Sequence, residues 1–145
     1  MKNTSILTLI FALVLSLPSF AQTWETDYDA ALAKAKAENK TILLNFTGSD
    51  WCGWCVRLKG EVFSKAQFIE YAEANLVLVS LDFPKRKQLS AEEKAQNQAL
   101  AQKHGIRGFP TILLLNSDEE IVLKTGYKAG GPEEYVKHLK EAIEG

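Results

Sequence analysis

The chain has 145 residues, 46% hydrophobic and 24% charged, with 17 basic against 18 acidic side chains. That length suits one domain, and a formal charge of −1 argues against a nucleic-acid coat or a basic membrane-surface protein. Two cysteines leave no room for a disulfide-dense scaffold or a four-cysteine zinc site, and no repeat or low-complexity stretch signals a solenoid or a long disordered tail.

In chain order, the first segment reads as a leader rather than as part of the fold. Lys2 supplies a positive charge, Ile6 to Leu17 is almost continuously apolar, and Ser19 and Ala21 are the small residues before a cut after Ala21. This is the order of a secretory signal peptide, and the apolar run is shorter than the ~20 residues of a membrane span. Residues 1–21 are therefore expected to be removed, leaving a domain over residues 22–145 that is exported, most simply to a periplasm and otherwise to the extracellular space. Oxidised cysteine pairs persist in such places.

Thr26 is expected to cap a helix over Asp27 to Glu38, and the apolar run Thr41 to Phe46 reads as a strand buried on both faces. A turn, Thr47 to Asp50, leads into Trp51-Cys52-Gly53-Trp54-Cys55, after which Cys55, Leu58 and Val62 share a helical face. Ser64 is expected to cap a further helical stretch carrying Phe68, Ile69 and Ala72. Leu76 to Leu81 is a second buried strand, followed by the polar loop Asp82 to Lys87. Ser90 and Glu93 form a capping box for a helix to about His104, with Gly105 as its stop. That helix offers mostly alanines and Leu100, so light docking is expected. Thr111 to Leu115 is the third strand, turning through Asn116 to Glu119 into an antiparallel partner at Ile121 to Leu123. Gly130-Gly131-Pro132 starts a last helix with Tyr135, Leu139 and Ile143 facing inward. The order α-β-α-β-α-β-β-α describes one layered α/β domain.

The chemistry concentrates at Cys52 and Cys55. Their C-x-x-C spacing across a first helical turn brings two sulfurs within bonding reach. The helix start offers unpaired N–H groups and partial positive charge, which favour a thiolate on an exposed Cys52. Cys55, one turn deeper, is expected to be shielded and to displace whatever Cys52 captures. Three other readings compete. Half a zinc site is poorly served by His104 and His138, so no metal is expected. Covalent haem needs histidine where Val56 stands. An inert structural disulfide closing so small a loop would constrain the unfolded chain little.

Trp51-Cys52-Gly53-Trp54-Cys55 after a buried strand, with Gly105-Ile106-Arg107-Gly108-Phe109-Pro110-Thr111 before the third strand, resembles the thioredoxin superfamily over nearly all of residues 22–145. Within it, Phe46 to Cys55 is similar to small exported thioredoxin-like proteins and to periplasmic disulfide-reductase domains. The resemblance implies a thioredoxin fold, with a central mixed sheet of about four strands flanked by helices and an N-terminal helix. It implies that Cys52 is the nucleophile and Cys55 the resolving thiol. It implies also that Pro110 is cis against the sulfurs, excluding metal and freeing the backbone of Phe109 to pair with an extended substrate. Trp51, Gly53 and Trp54 support the site. No cofactor is implied.

The departures carry information. Where the family places a buried aspartate and a neighbouring lysine, this chain has Asn45 and Ser80. Neither does the proton transfer of a carboxylate with a raised pKa, which leaves water as the acceptor for Cys55. Asp50 and Glu61 are the nearest acidic residues, expected respectively as a solvated loop residue and a helix-surface charge. Trp54 stands where the family has proline, restoring a backbone N–H that would favour the thiolate and an oxidant or isomerase role. Analogy with the electron-relay domains points instead to a reductase.

The weaker signals are Lys85-Arg86-Lys87, read as a solvated loop that could dock an acidic partner, His104 serving a helix dipole, and His138 on the surface. The sequence thus predicts a monomeric, exported thiol–disulfide oxidoreductase. It would take disulfide-bearing proteins as substrates and electrons from a soluble or membrane-bound thiol donor, with no nucleic-acid partner. The competing class is a non-enzymatic module holding extended peptides between Trp51, Phe109 and Pro110.

Overall fold

Three short aliphatic runs build the centre of the molecule, because strands buried on both faces need apolar residues at every position. The structure, a computed structural model, describes residues 22–145, so the expected leader at residues 1–21 lies outside the described residues. The runs are strands β2 (Thr41–Thr47), β3 (Leu76–Asp82) and β4 (Thr111–Leu115). With β1 (Trp24–Glu25) and β5 (Ile121–Thr125) they form one five-stranded sheet of order β1-β3-β2-β4-β5. β2 runs parallel to β3 and antiparallel to β4, so the sheet is mixed as expected. The fifth strand was not expected. Trp24 and Glu25 pair in parallel with Leu78 and Val79, and two residues are too few to show an alternating pattern.

The helices pack in two layers. α1 (Tyr28–Glu38) lies on one face with α4 (Ala91–Lys103). On the other lie α2 (Gly53–Leu58), the π-helical turn Lys59–Phe63 that continues it, α3 (Ala66–Asn75) and α5 (Gly131–Glu144). Alternation along β2 sends Ile42, Leu44 and Phe46 to the first face and Leu43 to the second, all fully buried. Each such side chain stabilises the fold by roughly 1.5–3 kcal/mol.

The caps differ from expectation in two places. Asp27 rather than Thr26 caps α1, accepting the Ala30 N–H at 2.9 Å. Ser64 does not cap α3. Its hydroxyl donates back to the Gly60 carbonyl at 3.2 Å because the π-helical turn shifts the register, and Lys65 takes the cap position. Ser90 does cap α4, accepting the Glu93 N–H at 3.1 Å. α4 docks lightly through Leu100, but also through the buried Asn97, whose amide donates to the Asp82 carbonyl at 3.0 Å. In α5 Tyr135 and Leu139 are buried as expected, whereas Ile143, near the chain end, is exposed.

Candidate active site

The C-terminal ends of β2 and β3 set the site. Leaving β2, the chain turns at Gly48, whose carbonyl accepts the Trp51 and Cys52 N–H groups at 3.3 and 2.9 Å. The Trp51 indole lies directly on that turn. A Cβ at position 48 would sit 2.5 Å from the ring, so only glycine fits. Asp82 at the end of β3 secures the same turn, accepting from the Ser49 N–H at 2.9 Å and from its hydroxyl at 2.5 Å. Sequence reasoning took Asp82 only as the start of a polar loop and missed this buried brace.

Cys52 is the N-cap residue of α2 and is disulfide-bonded to Cys55, with the Cα atoms 5.2 Å apart. The expectation of an exposed Cys52 is corrected. Cys52 is 6% and Cys55 5% exposed, because the bond draws the Cys52 sulfur back over the first turn. Burial does not distinguish the two sulfurs; their surroundings do. The Cys52 Sγ accepts the Cys55 N–H at 3.2 Å. The donor is thus the N–H of Cys55, not the one that Trp54 restores. Gly53 is exposed, with open space where a Cβ would stand.

Outside the disulfide lies an aromatic rim. Trp51 is 40% and Trp54 55% exposed. Trp51 donates its indole N–H to the Phe83 carbonyl at 2.7 Å and meets Phe109 edge-on, with ring centroids 5.8 Å apart. Phe83 in turn packs on Phe109 at 5.1 Å. These contacts bring the segment before β4 to the motif, and its Phe109–Pro110 peptide bond is cis, as the resemblance implied. On the other side Trp54 packs on Tyr127 at 5.0 Å, and the Arg57 guanidinium lies 5.3 Å from both ring centroids. Phe83 and Tyr127 were not singled out from sequence; each is a lone aromatic in a loop, and only the fold brings it here.

Both acidic residues of the rim are engaged: Glu61 is the helix-surface charge expected, and Asp50, expected as a solvated loop residue, is tied to a neighbouring loop. Asp50 accepts the N–H groups of Lys85, Arg86 and Lys87 at 2.9, 2.7 and 2.9 Å. Consecutive amides at a bend form such an anion cradle, and these bonds hold the Asp50 carboxyl below its ordinary value. Glu61 accepts the Tyr127 hydroxyl and the Arg57 Nε–H, both at 2.6 Å, and those two hydrogen bonds likewise lower its pKa.

Behind the disulfide lies a cavity of about 410 Å³, lined by Cys55 together with Asn45, Thr47, Ser80, Lys59 and Trp24. The Cys55 Sγ accepts the Gly48 N–H at 3.5 Å. Asn45 and Ser80 are register partners on β2 and β3, as aligned from sequence, and no carboxylate lines this cavity. The Asn45 Oδ1 is buried without a hydrogen-bond partner, as is the Nε2 of Gln22, which also lines the cavity. The volume and its polar groups suit bound water.

His104 is the C-cap residue of α4, at the helix end as expected, and burial, with Lys103 nearby, lowers its pKa. His138 is half-buried, with a ring nitrogen 3.0 Å from the Thr125 hydroxyl. Among the described residues no group of three or more His, Cys, Asp or Glu could hold a metal ion.

The sequence pattern of the thioredoxin-like domain family matches residues 28–143. The chain belongs to that family. It is 32% identical over 120 residues to the disulfide bond reductase DsbH of Chlamydia pneumoniae, covering 83% of this chain and 72% of that protein. It is also 32% identical over 103 residues to the thioredoxin-related protein DsbJ of the same organism, covering 71% of this chain and 30% of that one. A solved structure of a DsbH oxidoreductase superposes with a TM-score of 0.82 at 31% identity, covering 91% of this chain and 92% of the other. With the Cys52–Cys55 disulfide at its centre, this thioredoxin-like chain is a thiol–disulfide oxidoreductase.

Proposed function

We propose that the chain reduces protein disulfides outside the cytoplasm, with Cys52 as nucleophile and Cys55 as resolving thiol. The reduced Cys52 thiolate attacks one sulfur of the substrate disulfide, forming a mixed disulfide and releasing the first substrate thiolate. Cys55 then loses its proton and attacks the Cys52 sulfur. The Cys52–Cys55 bond forms, the second substrate thiolate leaves, and two electrons have passed to the substrate. A thiol donor, soluble or membrane-bound, returns the pair to the dithiol while being oxidised itself.

The observation that carries this reading is the disulfide at the head of α2, with a backbone N–H on each sulfur and only Cys55 facing the cavity. Water in the cavity, held by Asn45, takes the Cys55 proton. The exposed Trp51 and Trp54 and the partly buried Phe109 form the border, beside Gly53 and Pro110, over which an extended substrate lies. The reductive direction is supported by the similarity to a disulfide bond reductase. Export rests on the charged, apolar and small-residue order of residues 1–21. No helix among the described residues is long and apolar enough to cross a membrane. Residues 22–145 act as one monomeric domain.

Insulin reduction with dithiothreitol tests the reading. Wild type accelerates precipitation of the insulin B chain and Cys52→Ser falls to the rate without protein. Equal rates with both would remove the reductase reading, and retained peptide binding would then favour the non-enzymatic module.

A further inference from the structure

The rim around the disulfide has a charge opposite to that of the chain as a whole. The segments that form it, residues 48–61, 83–87, 107–110 and 126–128, hold seven basic side chains (Arg57, Lys59, Lys85 to Lys87, Arg107 and Lys128) against two acidic ones, in a chain of formal charge −1. The two acidic groups offer little to a partner. Asp50 is occupied by three loop amides, and Glu61 by Arg57 and Tyr127. Among the described residues neither Lys85 nor Lys59 forms an ion pair within 4 Å of a carboxylate.

Two of these cations sit on the exposed indoles that flank the disulfide. The Lys85 Nζ lies 4.2 Å from the Trp51 ring centroid, held there by the Asp50-bound loop. The Arg57 guanidinium lies 5.3 Å from the Trp54 ring, positioned by Glu61 and leaving its terminal amino groups outside that ion pair. Each tryptophan therefore presents an apolar edge with a positive charge directly over its face. A third cation, Lys59, lines the cavity beside Cys55. A cleft bordered by one sign of charge concentrates partners of the other sign.

We infer that the site selects polypeptides whose disulfide is flanked by acidic residues, an apolar side chain lying along Trp51 or Trp54 and carboxylates meeting Lys85 and Arg57. This rests on the reductase reading and adds the substrate class to it. The redox step is unchanged: two electrons pass from the dithiol to the peptide S–S bond, leaving the protein disulfide and two peptide thiols.

The test uses the pre-reduced full domain in stopped flow against two matched peptides. Each has one internal disulfide, flanked in one by two aspartates and in the other by two lysines. At low ionic strength the acidic peptide is expected to react about tenfold faster, within the range that electrostatic steering supplies. The ratio is expected to fall towards one at about 0.5 M salt, where charges are screened within a few ångströms. A Lys59→Glu, Lys85→Glu double variant is expected to lower the low-salt ratio at least threefold. Because the readout is a ratio, each protein is its own control, and the wild-type salt dependence decides the matter if the variant does not fold. Equal rates at low salt, or a faster basic peptide, overturn the inference while leaving the reductase intact. If neither peptide reacts faster with wild type than with Cys52→Ser, the reductase reading itself fails and the inference falls with it.

Discussion

The disulfide divides two regions that share a bond and little else. In front of it, the exposed Trp51 and Trp54, backed by the partly buried Phe109 and Tyr127, form an aromatic rim on which Lys85 makes no ion pair among the described residues and both carboxylates are engaged. Behind it, Asn45, Thr47 and Ser80, together with Lys59, Trp24 and Phe63, line a cavity that holds no carboxylate and against which Cys55 lies. Cys52 and Cys55 are buried almost equally, so accessibility does not assign their roles. On the proposed reading the two sides divide the work: the rim selects a partner, and water in the cavity takes the Cys55 proton.

The contrast can be broken most severely from the cavity side. Phe63 lines the cavity and is also stacked among Trp24, Phe68 and Tyr135 at centroid distances of 5.2, 4.8 and 6.0 Å. Phe63→Ala is expected to lower stability by about 3 kcal/mol, the low end for such truncations because the cavity already relieves part of the packing. Urea unfolding measures it, and a loss below about 1 kcal/mol would mean that the aromatic cluster is not a single packed unit.

A smaller and more selective effect is expected from Asn45→Leu, which removes the unpartnered amide from the cavity wall. Resolution of a mixed disulfide by Cys55 should slow about tenfold at neutral pH and recover at higher pH, with the first attack by Cys52 unchanged. Rapid-quench trapping of the mixed disulfide separates the two steps. Equal slowing of both would remove the division of labour between front and back.

The smallest effect is local to the rim. The Asp50 carboxyl is held below its ordinary value by the loop amides, so its tie to the loop is complete above the unperturbed value of about 3.9 and is lost as pH falls through the folded value. Tryptophan fluorescence should therefore show an acid transition below about pH 4, as Lys85 leaves the Trp51 face, with the sheet intact by circular dichroism. Asp50→Asn should abolish that transition. An unchanged transition would mean that Asp50 does not hold the loop.

Much of this was legible in the residues because the signals are dense and local. The runs around Leu43, Val79 and Leu113 announced the central strands, and Ser90 its helix. Asn45 and Ser80 were placed on neighbouring strands by the family resemblance, and they are register partners. What stayed hidden depends on single residues meeting across long separations. β1 is only two residues long, and the π-helical turn displaced Ser64 from its expected cap. Asp50 reads as an isolated loop charge until a bend thirty-five residues later turns its amides inward. Tyr127 and Glu61, sixty-six residues apart, become partners only when the π-helical turn after α2 and the segment after β5 are folded together.

Titration of the two thiols in the reduced protein tests the central proposition most directly. Thiol–thiolate absorbance, with each single serine variant to assign the steps, should find Cys52 titrating well below the free-cysteine value of about 8.5 and Cys55 at or above it. A Cys52 no more acidic than free cysteine, or a Cys55 that ionises first, would contradict the assignment of nucleophile and resolving thiol.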